Sequence, residues 1–488
     1  MAAVSIEEEV ERLDKNPVIN WIQERTHILD GLLPIIQHPV PKSINWWYVL
    51  GSATLLSFVN QVVTGVALAM TYVPAPNQAY QSLTFISTNA VWGSVLRGMH
   101  FFGASAMVVL ISAHVIRVFL MGSYKFPREL NWITGVFLLG LTAAMAFSGQ
   151  LLRWDQDAYW AVVVAAEQAG KTPILGPILA QVVVAGQTVG GATLTRFFAT
   201  HVFLLPALMF MFIGVHLYLV VFDGISELPK AGEVVDPKTY KEKYHRLLET
   251  DGEPFFPDAA WKDAVFACLV MAVILALAIF VGAPHLGKPA DPTVIQASPR
   301  PDWYFLWYFA VLALIPPAME NWVILGVPAL IGALLFAVPF VSRGGERSPL
   351  RRPWSVAAVL FMLVALAALT IEGNSANWSP QIDAAEVSPI PASITQHLSG
   401  EALTGAQLFQ QKGCHTCHTL AGTGGDKGPN LTYVADRLNQ AQLITRVLNG
   451  GHNMPAFGGT LTDTEVQQLV SFLQTLKSPD QLPATAGP

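Results

Sequence analysis

The sequence predicts an all-α protein: a membrane helical bundle of seven transmembrane helices, followed by a small all-α soluble domain. The first observation is composition, because 52% of the 488 residues are hydrophobic and 13% are charged. Soluble proteins carry roughly 25% charged residues. The second observation is a series of long apolar runs. The third is that these runs stop near residue 373, beyond which the chain is polar.

Apolar stretches of about 20 residues can cross a bilayer as helices. We predict seven spans, at 46–73, 95–120, 131–151, 199–222, 264–283, 321–342 and 354–371. The run WYFLWYFAVLALI at 303–315 is shorter and predicts an interfacial or re-entrant helix. The segment NWIQERTHILDGLL has helical spacing of apolar residues, which fits a helix on the membrane surface or an ordinary surface helix. The polar, acidic N-terminus does not have the pattern of a cleavable signal peptide.

Positive charge orients the spans. Lysines and arginines are concentrated in alternate connections, above all 117–128, 230–262 and 343–352, and these predict the cytoplasmic side. We call it the basic side and the opposite side the outer side. With seven crossings, the C-terminal domain lies outside. The net charge of −6 gives no indication of nucleic-acid binding.

The C-terminal domain contains the motif C-x-x-C-H. Cys414, Cys417 and His418 have the spacing of a covalent c-type haem site. Met454, in NMPAF, is the candidate sixth ligand, and His452 is its rival, because a Met/His pair raises the haem potential. A zinc or thioredoxin-like site fits poorly, since no second cysteine pair is present. The remaining cysteine, Cys268, is predicted to be a small buried hydrophobe.

Four histidines lie inside predicted spans: His100 and His114 in the second span, His201 and His216 in the fourth. The interval of 14 residues between His100 and His114 is about 40° short of four whole helical turns, and the interval of 15 residues between His201 and His216 is about 60° beyond four turns. The two histidines of each pair are about 21–22 Å apart along the helix. Each helix therefore carries one histidine near each membrane side. Two such helices can form two stacked bis-histidine sites, which suit b-type haems that only transfer electrons. The alternative is that the histidines are hydrogen-bonded packing residues.

Glycines and arginines accompany these histidines. Glycine lets a flat macrocycle approach the backbone closely. The candidates form two pairs with the same interval as His100 and His114, namely Gly51 and Gly65 in the first span and Gly135 and Gly149 in the third. Arg97 and Arg117 each lie one helical turn from a histidine and are candidates to pair with haem propionates, or to extend to the membrane surface as helix-end residues.

These motifs resemble the cytochrome b family, in its cytochrome b6f-like branch. The stretches HVIRVFLMGSYKFPRELNWITG, WDQDAYWA and TLTRFFATH are similar to cytochrome b6, and KPADPTVIQASPRPDWYF resembles subunit IV. QQKGCHTCHTL and GHNMPAF resemble a class I cytochrome c. The resemblance implies a b6-like four-helix di-haem domain at 1–225, a subunit IV-like three-helix domain at 226–373, a Pro/Ser-rich linker at 374–400 and a cytochrome c domain at 401–488.

The resemblance also implies the function of a quinol–cytochrome c, or plastocyanin-like acceptor, oxidoreductase that works by a proton-translocating Q-cycle. Its cofactors would be two non-covalent haems b, at His100 with His201 on the outer side and at His114 with His216 on the basic side, and one haem c on Cys414 and Cys417. Quinol would bind between the loop 150–195 and Pro301. The family motif Pro-Glu-Trp-Tyr is Pro301, Asp302, Trp303 and Tyr304 here. Asp302 would accept the quinol proton, unless it is a solvated loop residue.

Partners follow from the same resemblance: a separate Rieske iron–sulfur protein, a soluble or membrane-bound cytochrome c-type acceptor, lipid and a second copy of the complex. The location would be a bacterial cytoplasmic membrane. Asp223 and Arg25 are candidates for the basic-side quinone site. Val49 replaces the cysteine that binds an extra haem in cytochrome b6, which disfavours a covalently bound third haem in the membrane. Two alternatives are a membrane-anchored electron carrier without quinol oxidation and a non-redox scaffold.

Overall fold

The computed structural model describes residues 16–186, 189–291, 300–316, 319–375, 389–425, 428–450, 454, 457–458 and 461–479. Within them, seven helices are long and apolar enough to cross a membrane. They are Trp46–Ala69, Gly93–Leu120, Glu129–Leu151, Gly191–Asp223, Phe255–Phe280, Trp322–Val341 and Pro353–Ser375. The predicted number is confirmed, and so is the all-α class. The fourth span begins at Gly191, earlier than predicted, because the polar segment GATLTRFFA is already helical.

Shorter helices lie between the spans. Those in the outer connections are Ala79–Thr88, Gln156–Gly170, Gly176–Val184 and the apolar Trp303–Leu314. The last is too short to cross a membrane, as predicted. Those on the basic side are Pro17–Thr26, Ile28–Ile36 and Tyr240–Asp251. Two small antiparallel sheets on the same side pair Pro39–Pro41 with Gly252–Pro254 and Val234–Val235 with Gly345–Glu346.

The two N-terminal helices expose apolar side chains. They meet at His27, whose φ of 49° interrupts the helix. Trp21 is 59% exposed and Ile35 is 52% exposed. Large exposed apolar side chains next to a membrane bundle favour contact with the membrane surface over an ordinary surface helix.

Basic side chains on the basic side bind the ends of spans. A helix leaves its last carbonyls without intrahelical partners, and a cation near these carbonyls also interacts favourably with the helix dipole. The donor and acceptor pairs are Arg352 with Phe119 (3.0 Å), Lys125 with Ser342 (2.9 Å) and Arg128 with Gly224 (2.7 Å). Two of these three bonds, from Arg352 and from Lys125, also join the first half of the chain to its second half.

Cys268 corrects one prediction. It is exposed on the fifth span rather than buried. The fifth span is apolar on every face, so its sequence gives no amphipathic signal that would separate a bundle-facing from an outward-facing position.

The C-terminal domain is small and helical. Its elements are the turn Ala392–Thr395, the helix Gly400–Gln411, the turn Cys414–Cys417, the paired strands Thr419–Leu420 and Thr423–Gly424, and the helices Gln440–Asn449 and Asp463–Thr475. The first and last long helices cross so closely that a Cβ on Gly405 would lie 1.9 Å from the carbonyl oxygen of Gln468. Phe409 and Phe472 fill the core beneath this crossing.

Candidate functional site

Each of the four membrane histidines faces one of the four predicted glycines. A Cβ on Gly65 would lie 3.2 Å from Cε1 of His100, and a Cβ on Gly51 would lie 3.2 Å from Cε1 of His114. On the other side of the bundle, the corresponding distance is 2.7 Å from Gly149 to His201 and 3.5 Å from Gly135 to His216. A Cβ on Gly51, Gly65 or Gly149 would crowd the facing ring, whereas a Cβ on Gly135 would make an ordinary contact. The first and third spans therefore line the space into which the histidines of the second and fourth spans project.

The outer pair has the separation of two axial ligands. The ring centroids of His100 and His201 are 6.4 Å apart. Two imidazole nitrogens that bind one metal from opposite sides at about 2 Å each, as in zinc–histidine bonds, leave ring centres about 6 Å apart. The residues therefore fit a haem iron between them.

Hydroxyl groups fix which ring nitrogen is free. Thr64 lies 2.9 Å from Nδ1 of His100 and donates its own proton to the carbonyl of Asn60, so it accepts from Nδ1–H. Thr134 and His216 make the same contact at 2.9 Å, and Ser148 and His201 at 3.0 Å. A protonated Nδ1 leaves the lone pair of Nε2 available for a metal.

Sequence reasoning missed these three hydroxyl residues. Each directly precedes its glycine, as the doublets Thr64–Gly65, Thr134–Gly135 and Ser148–Gly149. Leu50 precedes Gly51, and Nδ1 of His114 is buried without a hydrogen-bond partner in the described part of the chain. The doublets Thr134–Gly135 and Ser148–Gly149 are separated by the same interval as His100 and His114, and this repeat could have been used to predict the hydroxyl residues.

Arg97 and Arg117, the two arginines predicted to pair with haem propionates, have different surroundings. Arg97 donates to the carbonyl of Pro284 (2.7 Å) and to Ser87 (3.2 Å). Arg117 is 9% exposed, and its Nε and Nη2 have no partner among the described residues. Its guanidinium lies 3.6 Å from the ring centroid of Tyr48. A buried, unpaired cation next to the His114 site fits an anionic propionate and does not fit extension to solvent.

Pro301 and Asp302 directly precede the short outer helix, and Trp303 and Tyr304 are its first two residues. The hydroxyl of Tyr304 donates to Oδ2 of Asp302 (2.8 Å), and the indole of Trp303 donates to Ser105 (3.3 Å). Burial, and then the Asp302 carboxylate, raises the pKa of Tyr304 above its ordinary value, so the phenol remains a donor. Asp302 is thus held in the structure and is not a freely solvated loop residue.

A cavity of about 390 Å³ lies beside this segment. Phe147 of the third span, Ala161 of the helix Gln156–Gly170, Pro301 and Ile324 are among its mostly apolar lining residues. This volume and lining suit a small organic ligand. The cavity occupies the place predicted for quinol, between the loop 150–195 and Pro301.

The two predicted basic-side residues, Arg25 and Asp223, have separate partners in the structure. Arg25 donates to the carbonyl of Trp21 and stacks on its indole at 4.5 Å. Asp223 ends the fourth span, where its carbonyl accepts from Arg128 at 3.2 Å. No contact joins Arg25 to Asp223 in the described ranges. Val49 is buried in the turn that opens the first span.

In the C-terminal domain, the turn Cys414–Cys417 leads directly to His418. Nδ1 of His418 lies 2.8 Å from the carbonyl of Pro429, which can only accept, so Nε2 is free for iron. Met454 packs against the domain core. His452 lies outside the described residues. The donor set of His418 with Met454 fits a haem c.

Comparison with known proteins identifies the family. Family models described as "Cytochrome b/b6/petB", "Cytochrome b(C-terminal)/b6/petD" and "Cytochrome C oxidase, cbb3-type, subunit III" match residues 35–223, 289–390 and 400–473. The cytochrome b of Allochromatium vinosum is 32% identical over 74% of this chain and 90% of its own. The chain belongs to the cytochrome b family. It is an integral membrane protein of that electron-transport family and carries a C-terminal cytochrome c domain.

Other relatives match different portions. The cytochrome b6 of Heliobacterium modesticaldum is 40% identical over 43% of this chain and 99% of its own. The cytochrome b/c1 of Bradyrhizobium diazoefficiens is 32% identical over 73% of this chain, which spans about half (51%) of that relative. A chain of a solved structure described as a hyperthermophilic respiratory Complex III has a TM-score of 0.63 and 28% identity, and the match covers 73% of this chain and 91% of the other.

Proposed function

We propose that this chain is the cytochrome b/c subunit of a quinol–cytochrome c, or plastocyanin-like acceptor, oxidoreductase that works by a proton-translocating Q-cycle. The observation that carries the proposal is the position of the cavity. Pro301, the chain neighbour of Asp302, lines it, and the backbone N–H of Asp302 donates to Gln150 Oε1 at 3.3 Å. Gln150 follows Gly149, which faces His201. Phe147 lines the cavity and lies on the third span two positions before Gly149, so a quinol in the cavity would lie near the outer histidine pair.

Different residues of the chain have different roles in quinol oxidation. The apolar cavity walls hold the quinol and exclude water, which strengthens polar contacts inside. Asp302 accepts a hydroxyl proton from quinol and releases it to the outer side, while Tyr304 holds the carboxylate in place. The two histidine pairs would hold two haems b, and His418 with Met454 and the two cysteines would hold one haem c. When bound, these haems supply one-electron transfer.

The remaining assignments complete the proposal. Its one-electron partner at the cavity is a separate Rieske iron–sulfur protein, and a second quinone site lies on the basic side. The complex is a homodimer in a bacterial cytoplasmic membrane, with the cytochrome c domain on the periplasmic side. Its acceptor beyond the c haem is a soluble or membrane-bound cytochrome c-type protein.

The test is purification of the complex in mild detergent, followed by three measurements. We expect two haems b per haem c in a pyridine haemochrome assay, a Rieske protein among the subunits, and quinol-dependent reduction of an added cytochrome c. Full haem content without quinol oxidation would instead identify a membrane-anchored electron carrier. A purified complex without haem b and haem c would identify a non-redox scaffold.

A further inference from the structure

One of four matched intervals in the haem-binding bundle is longer than the rest by a single position. The interval from Gly51 to Gly65 equals those from Gly135 to Gly149 and from His100 to His114, and we call it the common interval. His216 lies one position further from His201 than the common interval would place it. One extra residue turns an α-helix by a further angle of about 100°. In a regular α-helix, His216 would therefore point about 100° away from the direction that the common interval would give it.

The structure nevertheless brings both histidines of the fourth span against the third span. His201 meets Gly149 and His216 meets Gly135. The third span is a continuous α-helix from Glu129 to Leu151, so it does not supply the missing rotation. The correction lies in the fourth span.

A π-helical turn at Thr200–Leu204 makes this correction. The N–H of Leu205 donates to the carbonyl of Thr200, one position further back than in an α-helix. Such a turn holds one residue more than an α-helical turn. Pro206 follows it and has no N–H to donate to the carbonyl of Val202, which favours a wider turn at this place. The described part of the second span, Gly93–Leu120, has no such turn, in keeping with its common interval.

We propose that the π-helical turn at Thr200–Leu204 corrects the helical register of the fourth span. It rotates His201 back into line with His216, so that these two histidines can bind haem with the same geometry as two histidines at the common interval. This inference rests on the proposed bis-histidine ligation. It assigns a positioning role to the segment between His201 and Pro206, and it predicts that one residue of this turn is dispensable for haem binding.

The experiment deletes one residue from the turn and one from a regular helix, in the full-length chain within its complex. Leu204 lies in the turn and is 56% exposed. Val109 lies between His100 and His114 and is 54% exposed, so it is a matched control. The readout is the ratio of haem b to haem c in purified protein, with low-spin haem signals in electron paramagnetic resonance. His201→Ala calibrates the loss of one haem b.

Deletion of Leu204 should keep about two haems b per haem c, because the turn closes to an α-helical one and the fourth span then has the common interval. Deletion of Val109 should remove at least half of the haem b, because nothing in the second span absorbs the rotation. Deletion of Phe203, 66% exposed in the same turn, should behave like deletion of Leu204. Loss of haem b, or failure to accumulate, in both turn deletions would overturn the register role. Full haem b in His201→Ala would instead overturn the proposed ligation.

Discussion

The backbone N–H of Asp302 donates a 3.3 Å hydrogen bond to Oε1 of Gln150, so a residue at the end of the third span holds the start of the short outer helix. The two residues are 152 positions apart in the sequence. Gln150 also directly follows the glycine that faces His201. A shift of this helix would therefore change the distance between the cavity and the outer histidine pair.

Asp302→Asn should lower the rate of quinol oxidation by about 10²-fold, the lower end of what a general base contributes. Haem content should not change, because Asp302 does not contact the histidines. Asp302→Glu should retain most activity, since it keeps the carboxylate. The measurement is quinol–cytochrome c reductase activity per haem c, with the exposed, basic-side Asp236→Asn as control. Equal rates in Asp302→Asn and the control would remove Asp302 from the proton path.

Gly149→Ala should disturb the outer haem b site, because the new methyl carbon would lie 2.7 Å from Cε1 of His201. The third span offers a matched control in Gly140, where a Cβ would have no atom within 4 Å. We expect the b-haem absorbance of Gly149→Ala to fall by up to half and that of Gly140→Ala to stay unchanged. A normal haem b content in Gly149→Ala would contradict the close approach.

Arg117→Gln should lower the midpoint potential of the basic-side haem b, because it removes a buried positive charge that favours the reduced, less positive haem. Coulomb's law at an effective dielectric constant of about 20 gives a shift on the order of tens of millivolts. Arg97→Gln should change the outer haem less, since Ser87 and the carbonyl of Pro284 already bind that guanidinium. Potentiometric titration of the b-haem absorbance measures both; a larger shift in Arg97→Gln would contradict the assignment.

Asp157→Asn should raise the melting temperature of the purified chain at neutral pH. Burial is the largest cause of the raised pKa of Asp157, followed by the carboxylate of Asp155, and Asp302 adds to it. Because the folded pKa lies above the unfolded one, which is about 3.9, the charged form reduces stability at neutral pH, and protonation restores it as the pH falls. The gain should therefore shrink as the pH approaches the unfolded pKa. A gain that does not depend on pH would contradict this explanation.

Met454→Ala should lower the midpoint potential of the haem c by removing the proposed sixth ligand, whose thioether favours the reduced iron. Covalent attachment should persist, since Cys414 and Cys417 are intact, and haem staining of a denaturing gel checks this. His452→Ala is the control that separates the two candidates. Loss of the low-spin c-haem spectrum in His452→Ala, with a normal spectrum in Met454→Ala, would exchange their roles.

The sequence was sufficient to predict the spans and the histidine–glycine pairs, because hydropathy and a repeated interval are properties of the chain itself. It was not sufficient to predict the π-helical turn, which depends on which backbone carbonyl accepts the hydrogen bond from the N–H of Leu205. Nor did it predict the tautomers of the histidines, since these depend on hydroxyls of Thr64, Thr134 and Ser148 that lie on other helices.

The positions of two further residues, Cys268 and Asp157, also depend on the folded structure and could not be predicted from the sequence. The outward position of Cys268 is decided by neighbouring helices rather than by its own apolar surroundings. The sequence around Asp157 gives no indication of a role for this residue. It lies on the helix face of Ala161 and Val164, which line the cavity, and only the folded helix shows that shared face.

The bonds from Arg352 and Lys125 to carbonyls across the bundle have a consequence for the history of the chain. They bind the segment around Phe119 to the region around Ser342 through hydrogen bonds that do not depend on the peptide connection between the two halves. The cytochrome b6 of Heliobacterium modesticaldum, which matches 43% of this chain over 99% of its own length, corresponds to one half alone. A gene cut in two between the fourth and fifth spans should therefore still yield two polypeptides that assemble, and fission or fusion at this place would leave the redox core undisturbed.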